Sequence, residues 1–342
     1  MDDLGLLRDL GHDLEHEPPA TLVRQRHRLA EAIAGRTGRH RGRGWILIGV
    51  AAAVTAALIL VPTVLLRGGG KGAEDPLGRS THRAGATKAL NILVLGTDGR
   101  GDKFAPRSDT IVLLHLPRDN ERISAVSIPR DLMVPLPSCK TRSGEATAAR
   151  TGLINSAYTV GGLGCSVRAV EKLTDVRIDH AMSIDFTGFK RIVSGMGGVE
   201  VVVPRAMRDP KAGLNLSPGR QMIRGDQALA YARARQGLGD GSDLERIKRQ
   251  QQLMAAMLKR AKEKQMLSPV RLPMFLNMMA GTMETYGQLS VPVMKEIARI
   301  LERTETDTAR FSTIPVRPHP DDPNRLALNE PTARKLLQTF RS

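Results

Sequence analysis

A stretch of 22 residues without a charged side chain, from Trp45 to Leu66, limits the topology of this chain more than any other feature. At a rise of about 1.5 Å per residue, a helix of this length is long enough to cross the ~30 Å hydrocarbon layer of a bilayer. A secretory signal has a shorter apolar region, and no small-x-small cleavage pattern follows Leu66. A cleaved signal and a buried core helix are the weaker alternatives, so the pattern predicts one uncleaved transmembrane signal anchor over residues 45–66.

The charges on either side of this span predict its orientation. Residues 25–44 include six arginines, whereas residues 67–86 include only Arg67, Lys71, Arg79 and Arg83 as cations. Cytoplasmic flanks carry the excess of Lys and Arg, so the N-terminus is predicted to be cytoplasmic. The chain is therefore predicted to be a single-pass plasma-membrane protein with its larger part outside the cell.

The net charge narrows the classes of partner. A formal net charge of +16 would ordinarily suggest nucleic acid, an anionic membrane or a polyanionic substrate. Residues 1–44 carry 8 basic and 7 acidic side chains, so +15 of this charge lies on the far side of the predicted membrane. Nucleic acid is not a partner there, which leaves the membrane surface or a polyanionic substrate.

Composition divides the chain into four regions. Residues 1–44 are polar and predict a cytoplasmic tail, which is followed by the span at 45–66. Residues 67–86 are Gly-rich and charged, which is typical of a flexible extracellular linker. Residues 87–342 form the predicted extracellular domain, whose core must be aliphatic because only 3% of the chain is aromatic.

Apolar and β-branched runs in this domain predict strands, and longer amphipathic patterns predict helices. Strands are predicted at 91–96, 110–116, 122–128, 180–185, 199–203 and 310–316. Helices are predicted at 166–173, 186–193, 225–236 and 243–263, and near 331–340. Strands that alternate with helices predict an α/β (α+β) sandwich, in which helices flank a central mixed β-sheet.

The two cysteines, Cys139 and Cys165, both lie in the predicted extracellular domain. Two thiols in an oxidising compartment usually pair, and no third cysteine or nearby histidine suggests a zinc site. The alternative is a pair of free, small apolar side chains. A disulfide is predicted because the loop between them is polar and needs a tether.

Charged residues flank the first three predicted strands. Asp98 follows the first strand, Arg107 and Asp109 precede the second, and Arg130 ends the third, followed by Asp131. Crevices outside strand ends are where α/β folds place ligands. These side chains are therefore predicted to meet at one edge of the sheet.

Two predicted helices add further arginines. Arg233 and Arg235 leave the end of the 225–236 helix, while Arg246 and Gln250, four residues apart, share a face of the next. A single arginine is usually solvated, and a single Asp after a strand is usually a turn residue. Several guanidiniums held together would repel one another without an anion. Because arginine binds phosphate oxygens and aspartate binds hard cations, the set predicts a site for a pyrophosphate and its metal.

At these residues the sequence resembles the LytR-CpsA-Psr family of cell-wall ligases. The resemblance covers roughly residues 89–264. Its motifs, in the order of the family, are NILVLGTDGR (91–100), RSDTI (107–111), SIPRD (127–131), LINSAY (153–158) with the Gly pair at 161–162, GGVE (197–200), GDQALAYARAR (225–235) and DLERIKRQQ (243–251).

This resemblance implies a catalytic domain at 87–342 that acts as a Mg²⁺-dependent phosphotransferase. Members of the family move a glycopolymer from a polyprenyl-pyrophosphate carrier onto peptidoglycan through a phosphodiester bond. Asp98 and Asp109 would bind Mg²⁺ and act in catalysis together with Arg130 and Arg233. The residues implied to hold the pyrophosphate are Arg107, Arg130, Arg233, Arg235, Arg246 and Gln250.

Some points stay open at the level of the sequence. The proton of the attacking hydroxyl could pass to Asp98, Asp109 or Asp131, and any acidic residue of the 237–242 loop could approach the metal. The glycopolymer could be a teichoic acid, a capsule or an arabinogalactan-like glycan. Alternative functions are a non-catalytic polyprenyl-phosphate-binding envelope protein, a membrane-tethered transcriptional regulator and, less favoured, a pyrophosphatase of the lipid carrier.

Overall fold

The computed structural model describes residues 89–98, 106–117, 122–235, 242–279, 281–287, 289–304 and 309–341, which all belong to one compact unit, Val64–Ser342. The predicted tail, span and linker at residues 1–86 lie outside the described residues. Within the described ranges, no helix combines the length and the apolar character needed to cross a bilayer.

The described residues form strands and helices in alternation. The strands are β1 (Ala89–Thr97), β2 (Ser108–Pro117), β3 (Ser124–Ser127), β4 (Met133–Leu136), β5 (Cys139–Lys140), β6 (Ala146–Thr147), β7 (Arg150–Leu153), β8 (His180–Asp185), β9 (Val199–Val203), β10 (Met207–Asp209), β11 (Leu214–Leu216), β12 (Gly219–Ile223), β13 (Met283–Tyr286), β14 (Arg310–Thr313), β15 (Val316–Pro318) and β16 (Leu326–Leu328). The helices are α1 (Ser156–Thr174), α2 (Phe186–Gly195), α3 (Gly225–Arg233), α4 (Asp243–Glu263), α5 (Leu272–Met279), α6 (Val291–Arg303) and α7 (Glu330–Leu337), the last continued by a 3₁₀ turn at Gln338–Phe340.

Six strands form a central mixed sheet in the order β13-β8-β1-β2-β3-β14. Strand β1 is antiparallel to β2 and parallel to β8, and β14 is parallel to β3. The other ladders have two strands each: β4 with β7, β5 with β6, β9 with β12, β10 with β11, and β15 with β16. The predicted central mixed sheet with flanking helices is confirmed.

Helices cover both faces of the central sheet, and alternate residues of β1 therefore enter different cores. Leu93 and Leu95 pack in one core with residues of α1 and α7. Leu90 and Ile92 pack in another with residues of α6. A third core joins α2, α3 and α4 to the β9–β12 ladder. Strands β1 and β2 are apolar almost throughout because both of their faces are covered.

Several elements differ from the predicted bounds. Helix α1 begins ten residues before the predicted 166–173 helix. It is kinked at Gly161 and Gly162, whose φ/ψ angles are not helical, and this glycine pair hides the first part of the helix in the sequence pattern. The predicted strand at 310–316 is divided between β14 and β15, since the chain leaves the central sheet after Thr313. Short strands such as β4 to β7 are too brief to produce a sequence pattern.

The predicted pairing of Cys139 with Cys165 is present as a disulfide, with a Cα–Cα distance of 5.7 Å. It joins the β5–β6 hairpin to α1. Gly161 allows this approach, because a Cβ at that position would lie 2.6 Å from the Lys140 carbonyl oxygen and 2.8 Å from Cys165 Cβ. The hairpin is therefore fixed against the first half of α1, which begins beside Arg130 through a bond from Asn155 N to the Arg130 carbonyl.

Candidate functional site

The site is built where β1 and β8 end and β2 begins. Thr97 pairs with Ser108 of β2 on one side and with Asp185 of β8 on the other. Asp98, the next residue, is 3% exposed and exchanges two hydrogen bonds with Arg107. Arg107 N donates to Asp98 Oδ1 at 2.7 Å, and Asp98 N donates to the Arg107 carbonyl at 3.1 Å. These bonds hold the Asp98 carboxylate in place at the strand end.

A β-bulge places Asp109. Gly96 pairs with Thr110 and Thr97 pairs with Ser108, so Asp109 is the extra residue of β2. A bulge redirects side chains and often lies next to an active site. The carboxylate of Asp109 accepts a hydrogen bond from Arg130 Nη1 at 2.6 Å.

Arg130 follows β3 and lies among three carboxylates. Besides Asp109, its Nε is 3.5 Å from Asp131 Oδ2 and 3.7 Å from Asp243 Oδ1. Burial lowers the pKa of Arg130, but the bond to Asp109 and the charges of Asp131 and Asp243 outweigh it and raise the pKa above its ordinary value. Arg130 therefore stays charged while it is largely removed from solvent.

Asp243, the first residue of α4, connects arginines from three parts of the chain. Its Oδ1 accepts from Arg235 Nη2 at 2.6 Å, lies 2.7 Å from Arg246 Nη2 and is near Arg130. Ser242 caps the helix by accepting from Glu245 N at 3.3 Å, which places the Asp243 carboxylate at the positive end of the α4 dipole. Its Oδ2 is buried and has no hydrogen-bond partner among the described residues.

Asp243 was not among the residues predicted for the site, although it belongs to the DLERIKRQQ motif. An acidic residue in the first turn of a helix is ordinarily explained by the helix dipole alone. The available signal was its spacing of three residues from Arg246, which places the two side chains on one face.

Arg246 is the most buried of the clustered arginines, with 5% of its side chain exposed. Its Nη2 also donates to the Asp109 carbonyl at 3.3 Å, while its Nε is buried without a partner among the described residues. Burial lowers the pKa of Arg246 to about 10, and the charges of Arg235 and Arg130 add to the effect, whereas Asp243 and Asp109 oppose it. An anion bound beside Arg246 would favour the charged form of its side chain.

Arg233 and Arg107 lie beside this cluster but outside its ion pairs. The guanidinium carbon of Arg233 is 4.7 Å from the ring centroid of Phe186, the first residue of α2 after β8. Within the described part of the chain, neither the Arg233 nor the Arg107 guanidinium forms an ion pair, and both residues are exposed. Among the described residues, these two guanidiniums therefore have no carboxylate partner at this end of the sheet.

The side chain of Gln250 contacts the end of α3 in this structure. Its Nε2 donates to the Ala232 carbonyl at 3.1 Å, at the end of α3, rather than to a residue of the arginine cluster. The neighbouring Arg249 donates to the Ala234 carbonyl in the same way. In this structure Gln250 therefore positions the segment that carries Arg233 and Arg235.

The acidic residues do not form a metal cage by themselves. Within the described ranges, no group of three or more His, Cys, Asp or Glu side chains is arranged to hold a metal ion. Asp98 and Asp109 nevertheless lie on either side of the Thr97–Ser108 pair, where two carboxylates border the arginine cluster.

The chain has recognisable relatives. The model of the family described as LytR_cpsA_psr matches residues 71–339. The "Probable cell wall biosynthesis protein LcpB" of Corynebacterium glutamicum is 35% identical over 268 residues, which are 72% of this chain and 61% of that protein. The "Polyisoprenyl-teichoic acid--peptidoglycan teichoic acid transferase TagU" of Halalkalibacterium halodurans is 35% identical over 177 residues, 52% of this chain and 54% of that one. The chain thus spans about half to three fifths of these relatives.

A solved structure agrees with the fold. The "LytR-Csp2A-Psr enzyme from Actinomyces oris" superimposes with a TM-score of 0.59 at 25% identity, covering 74% of this chain and 89% of that one.

Proposed function

Because this chain belongs to the LytR_cpsA_psr family, we propose that it is a phosphotransferase of cell-wall assembly. It would move a glycopolymer from a polyprenyl-pyrophosphate carrier onto peptidoglycan and leave a phosphodiester bond. Relatives named as teichoic acid transferases and as cell wall biosynthesis proteins support this reaction class. The glycopolymer itself could be a teichoic acid or another anionic or neutral wall glycan.

One observation carries the proposal: guanidiniums remote in the sequence converge on a single carboxylate. Arg130, Arg235 and Arg246 all lie within 3.7 Å of Asp243 Oδ1. Burying like charges together is costly unless they are paired. Arg130 also pairs with Asp109, but among the described residues Arg235 and Arg246 share Asp243 as their carboxylate partner and are incompletely paired. A pyrophosphate would supply the missing negative charge and the acceptor oxygens.

The proposed reaction uses this charge directly. A sugar hydroxyl of peptidoglycan attacks the phosphorus that bears the glycopolymer, a new O–P bond forms, and the bond to the bridging oxygen breaks. The leaving polyprenyl phosphate carries the added negative charge, which Arg130, Arg235 and Arg246 stabilise. The hydroxyl proton passes to a carboxylate of the site, for which Asp98, Asp109 and Asp131 are the candidates.

We propose Mg²⁺ as the cofactor, held by Asp98 and Asp109. The donor set fits, because Mg²⁺ ordinarily takes one or two carboxylates and completes its coordination with phosphate oxygens and water. When bound, it would act as a Lewis acid on the pyrophosphate. The Asp98 carboxylate is already oriented by Arg107 N, and Asp109 is held by Arg130.

The proposed location is the outer face of the plasma membrane, with a single span at 45–66 and a cytoplasmic N-terminus. The disulfide between Cys139 and Cys165 supports an oxidising compartment. A transcriptional regulator would instead need the domain inside the cell. Protease treatment of intact cells distinguishes the two, since only an extracellular domain is cleaved.

The test is transfer of a labelled glycan from its lipid-linked form to peptidoglycan. We expect Arg130→Ala and Arg233→Ala to lose about 2 to 4 kcal/mol of transition-state stabilisation while circular dichroism shows an intact fold. Arg220→Ala is the matched control, because Arg220 is exposed and pairs only with Glu200 among the described residues. Near-normal transfer by either site variant would contradict the proposal, and lipid binding without any turnover by the wild type would favour the non-catalytic alternative.

A further inference from the structure

The segment at 264–279, between α4 and the end of α5, exposes apolar side chains. Val270 is 86% exposed and Met274 is 71% exposed, the highest values among the large hydrophobic residues that the structure describes. Both belong to ordered structure: Leu272 N donates to the Ser268 carbonyl at 2.9 Å, and Phe275 N donates to the Arg271 carbonyl at 3.0 Å. The helical path thus begins near Ser268.

This path gives the segment two different faces. Val270 and Met274 are four residues apart and therefore share the outward face. Phe275 and Leu276 are partly buried and pack against the core of α2, α3 and α4. The inner face packs the segment against the domain. The apolar side chains of the outer face are therefore exposed in a folded, packed segment.

The segment that carries this outer face has cationic residues and no acidic residue. Between Glu263 and Glu284 the sequence has no acidic residue, whereas Lys264 and Arg271 are both exposed there. Arg271 Nη1 donates to the Lys264 carbonyl at 2.7 Å, which holds the two cationic residues together. Apolar side chains beside cations, without acids, are the composition of an element that lies in the interface of an anionic bilayer.

Val202 is another exposed valine, but the charges around it differ from those of the 264–279 segment. Val202 of β9 is 64% exposed, but its ladder carries an ion pair, Arg220 Nη1 to Glu200 Oε1 at 2.8 Å. Charges of both signs surround Val202, so that surface is not complementary to an anionic membrane. Val202 is the matched control for Val270 and Met274.

We propose that the 264–279 segment docks its Val270 and Met274 face into the anionic surface of the membrane. This inference rests on the proposed membrane-anchored placement of the domain. A membrane anchor keeps the domain at a high effective concentration near the bilayer, so that a weak contact is sufficient. Docking would hold the arginine site in a fixed orientation toward a substrate that arrives from the membrane.

The first experiment measures insertion in the full chain, reconstituted in phosphatidylglycerol liposomes. Met274→Cys and Val202→Cys are each labelled with an environment-sensitive dye, because the native cysteines are joined in a disulfide. We expect nitroxide-labelled lipids to quench the dye at 274 several-fold more than the dye at 202. Phosphatidylcholine liposomes, or the Lys264→Glu/Arg271→Glu pair, should remove most of this difference.

The outcomes separate the two proposals. Equal quenching at 274 and 202 in a chain that floats with the liposomes would overturn docking and leave the anchor in place. Quenching at 274 that is independent of lipid charge would also overturn it, as would a response that requires an added envelope protein instead of lipid. A chain that fails to float would overturn both the anchor and the docking that rests on it.

A second experiment tests the consequence for transfer. Val270→Asp/Met274→Asp changes only exposed side chains, so the fold is expected to persist. We expect several-fold slower transfer from a long-chain carrier embedded in liposomes and unchanged transfer from a short-chain, water-soluble carrier. Equal rates for wild type and variant with the long-chain carrier would contradict docking, whereas loss of transfer with both carriers would indicate a structural role instead.

Discussion

The two ends of strand β1 both bury polar side chains, but they satisfy them differently. At the first end, Asn91 Nδ2 donates to the carbonyls of Arg177 and Phe340, Asn91 N donates to Asp179 Oδ2, and His115 Nδ1 donates to Asn91 Oδ1 at 2.9 Å. At the other end lies the arginine cluster around Asp243. Four of the six buried side-chain atoms that lack a hydrogen-bond partner among the described residues are there, on Ser108, Arg130, Asp243 and Arg246.

This difference distinguishes a structural network from a ligand site. Buried polar groups are nearly always hydrogen-bonded, and a concentration of exceptions requires an explanation. The Asn91 network is closed and ties β1 to the segment before β8 and to the C-terminal turn. Among the described residues, His180 Nδ1 is a buried atom near this network without a hydrogen-bond partner, because His180 pairs with Ile92 of β1. The Asp243 end is open and charged, which is the condition of a site that binds an anion.

The largest effect that would sharpen this comparison is expected from Asp243→Asn. Removing the shared carboxylate leaves three guanidiniums without their common partner, and breaking a buried pair costs about 3 to 5 kcal/mol. Saturating inorganic pyrophosphate should restore most of this loss. The measurement is the midpoint of chemical unfolding with and without pyrophosphate, with the exposed Glu200→Gln as control. An equal loss in both conditions would show that the cluster does not bind the anion.

At the other end, Asn91→Ala should lower the free energy of unfolding by about 2 to 3 kcal/mol, because it leaves several buried groups without partners. Pyrophosphate should not restore it, and transfer per folded molecule should be unchanged. Unfolding curves and the transfer assay on the same preparation test this. If pyrophosphate rescued Asn91→Ala, the distinction between the two ends would fail.

A smaller effect, this time a gain in stability, is expected from Arg246→Met. Burial lowers the pKa of Arg246 to about 10, below its ordinary value, so the folded state disfavours the charged form. Below pH 10 both folded and unfolded states are protonated and the penalty is fully present; as pH rises above 10 the folded state releases the proton first, and the penalty declines. Asp243 keeps Arg130 and Arg235 as partners when Arg246 is replaced, so its charge is not left unpaired. Replacement by Met should therefore stabilise the unliganded protein by about 1 kcal/mol at neutral pH while abolishing transfer.

The check is the difference in unfolding free energy between Arg246→Met and wild type, measured from pH 7 to 10.5. It should be constant at first and decrease toward the upper limit. Arg220→Met, which replaces an exposed arginine, is the control and should show no such change. A loss of stability in Arg246→Met would mean that the arginine cluster is a structural network like that of Asn91.

The smallest effect is expected from Gln250→Ala. Its bond to the Ala232 carbonyl positions the arginines that follow α3, so its removal should cost about 1 kcal/mol, or a roughly five- to tenfold loss in transfer. The Glu side chain of Gln250→Glu cannot donate this bond, so this variant should lose as much transfer as Gln250→Ala. In both variants the apparent affinity for the carrier should change more than the maximal rate. A loss as large as that of Arg130→Ala would instead indicate direct contact with the pyrophosphate.

Part of the arrangement at this edge of the sheet could be predicted from the sequence because the residues concerned lie at the ends of predicted strands. Asp98, Asp109 and Arg130 were predicted to lie at one edge of the sheet, and the structure places them there. Asp243 was missed since its local position has an ordinary explanation. The spacing of Gln250 from Arg246 predicted a shared helix face, but a shared face does not determine which neighbour a side chain reaches, and the bond to Ala232 could not be predicted.

The sequence by itself determined the class of fold, the disulfide pair and the family, because hydrophobic periodicity, cysteine number and ordered motifs are properties of neighbours along the chain. Only the tertiary structure decided that Asp243 joins Arg130, Arg235 and Arg246, that a bulge turns Asp109 toward them, and that Asn91 closes a separate network. The physical reason is distance: these contacts join residues many positions apart, and their geometry depends on how the sheet and α4 pack.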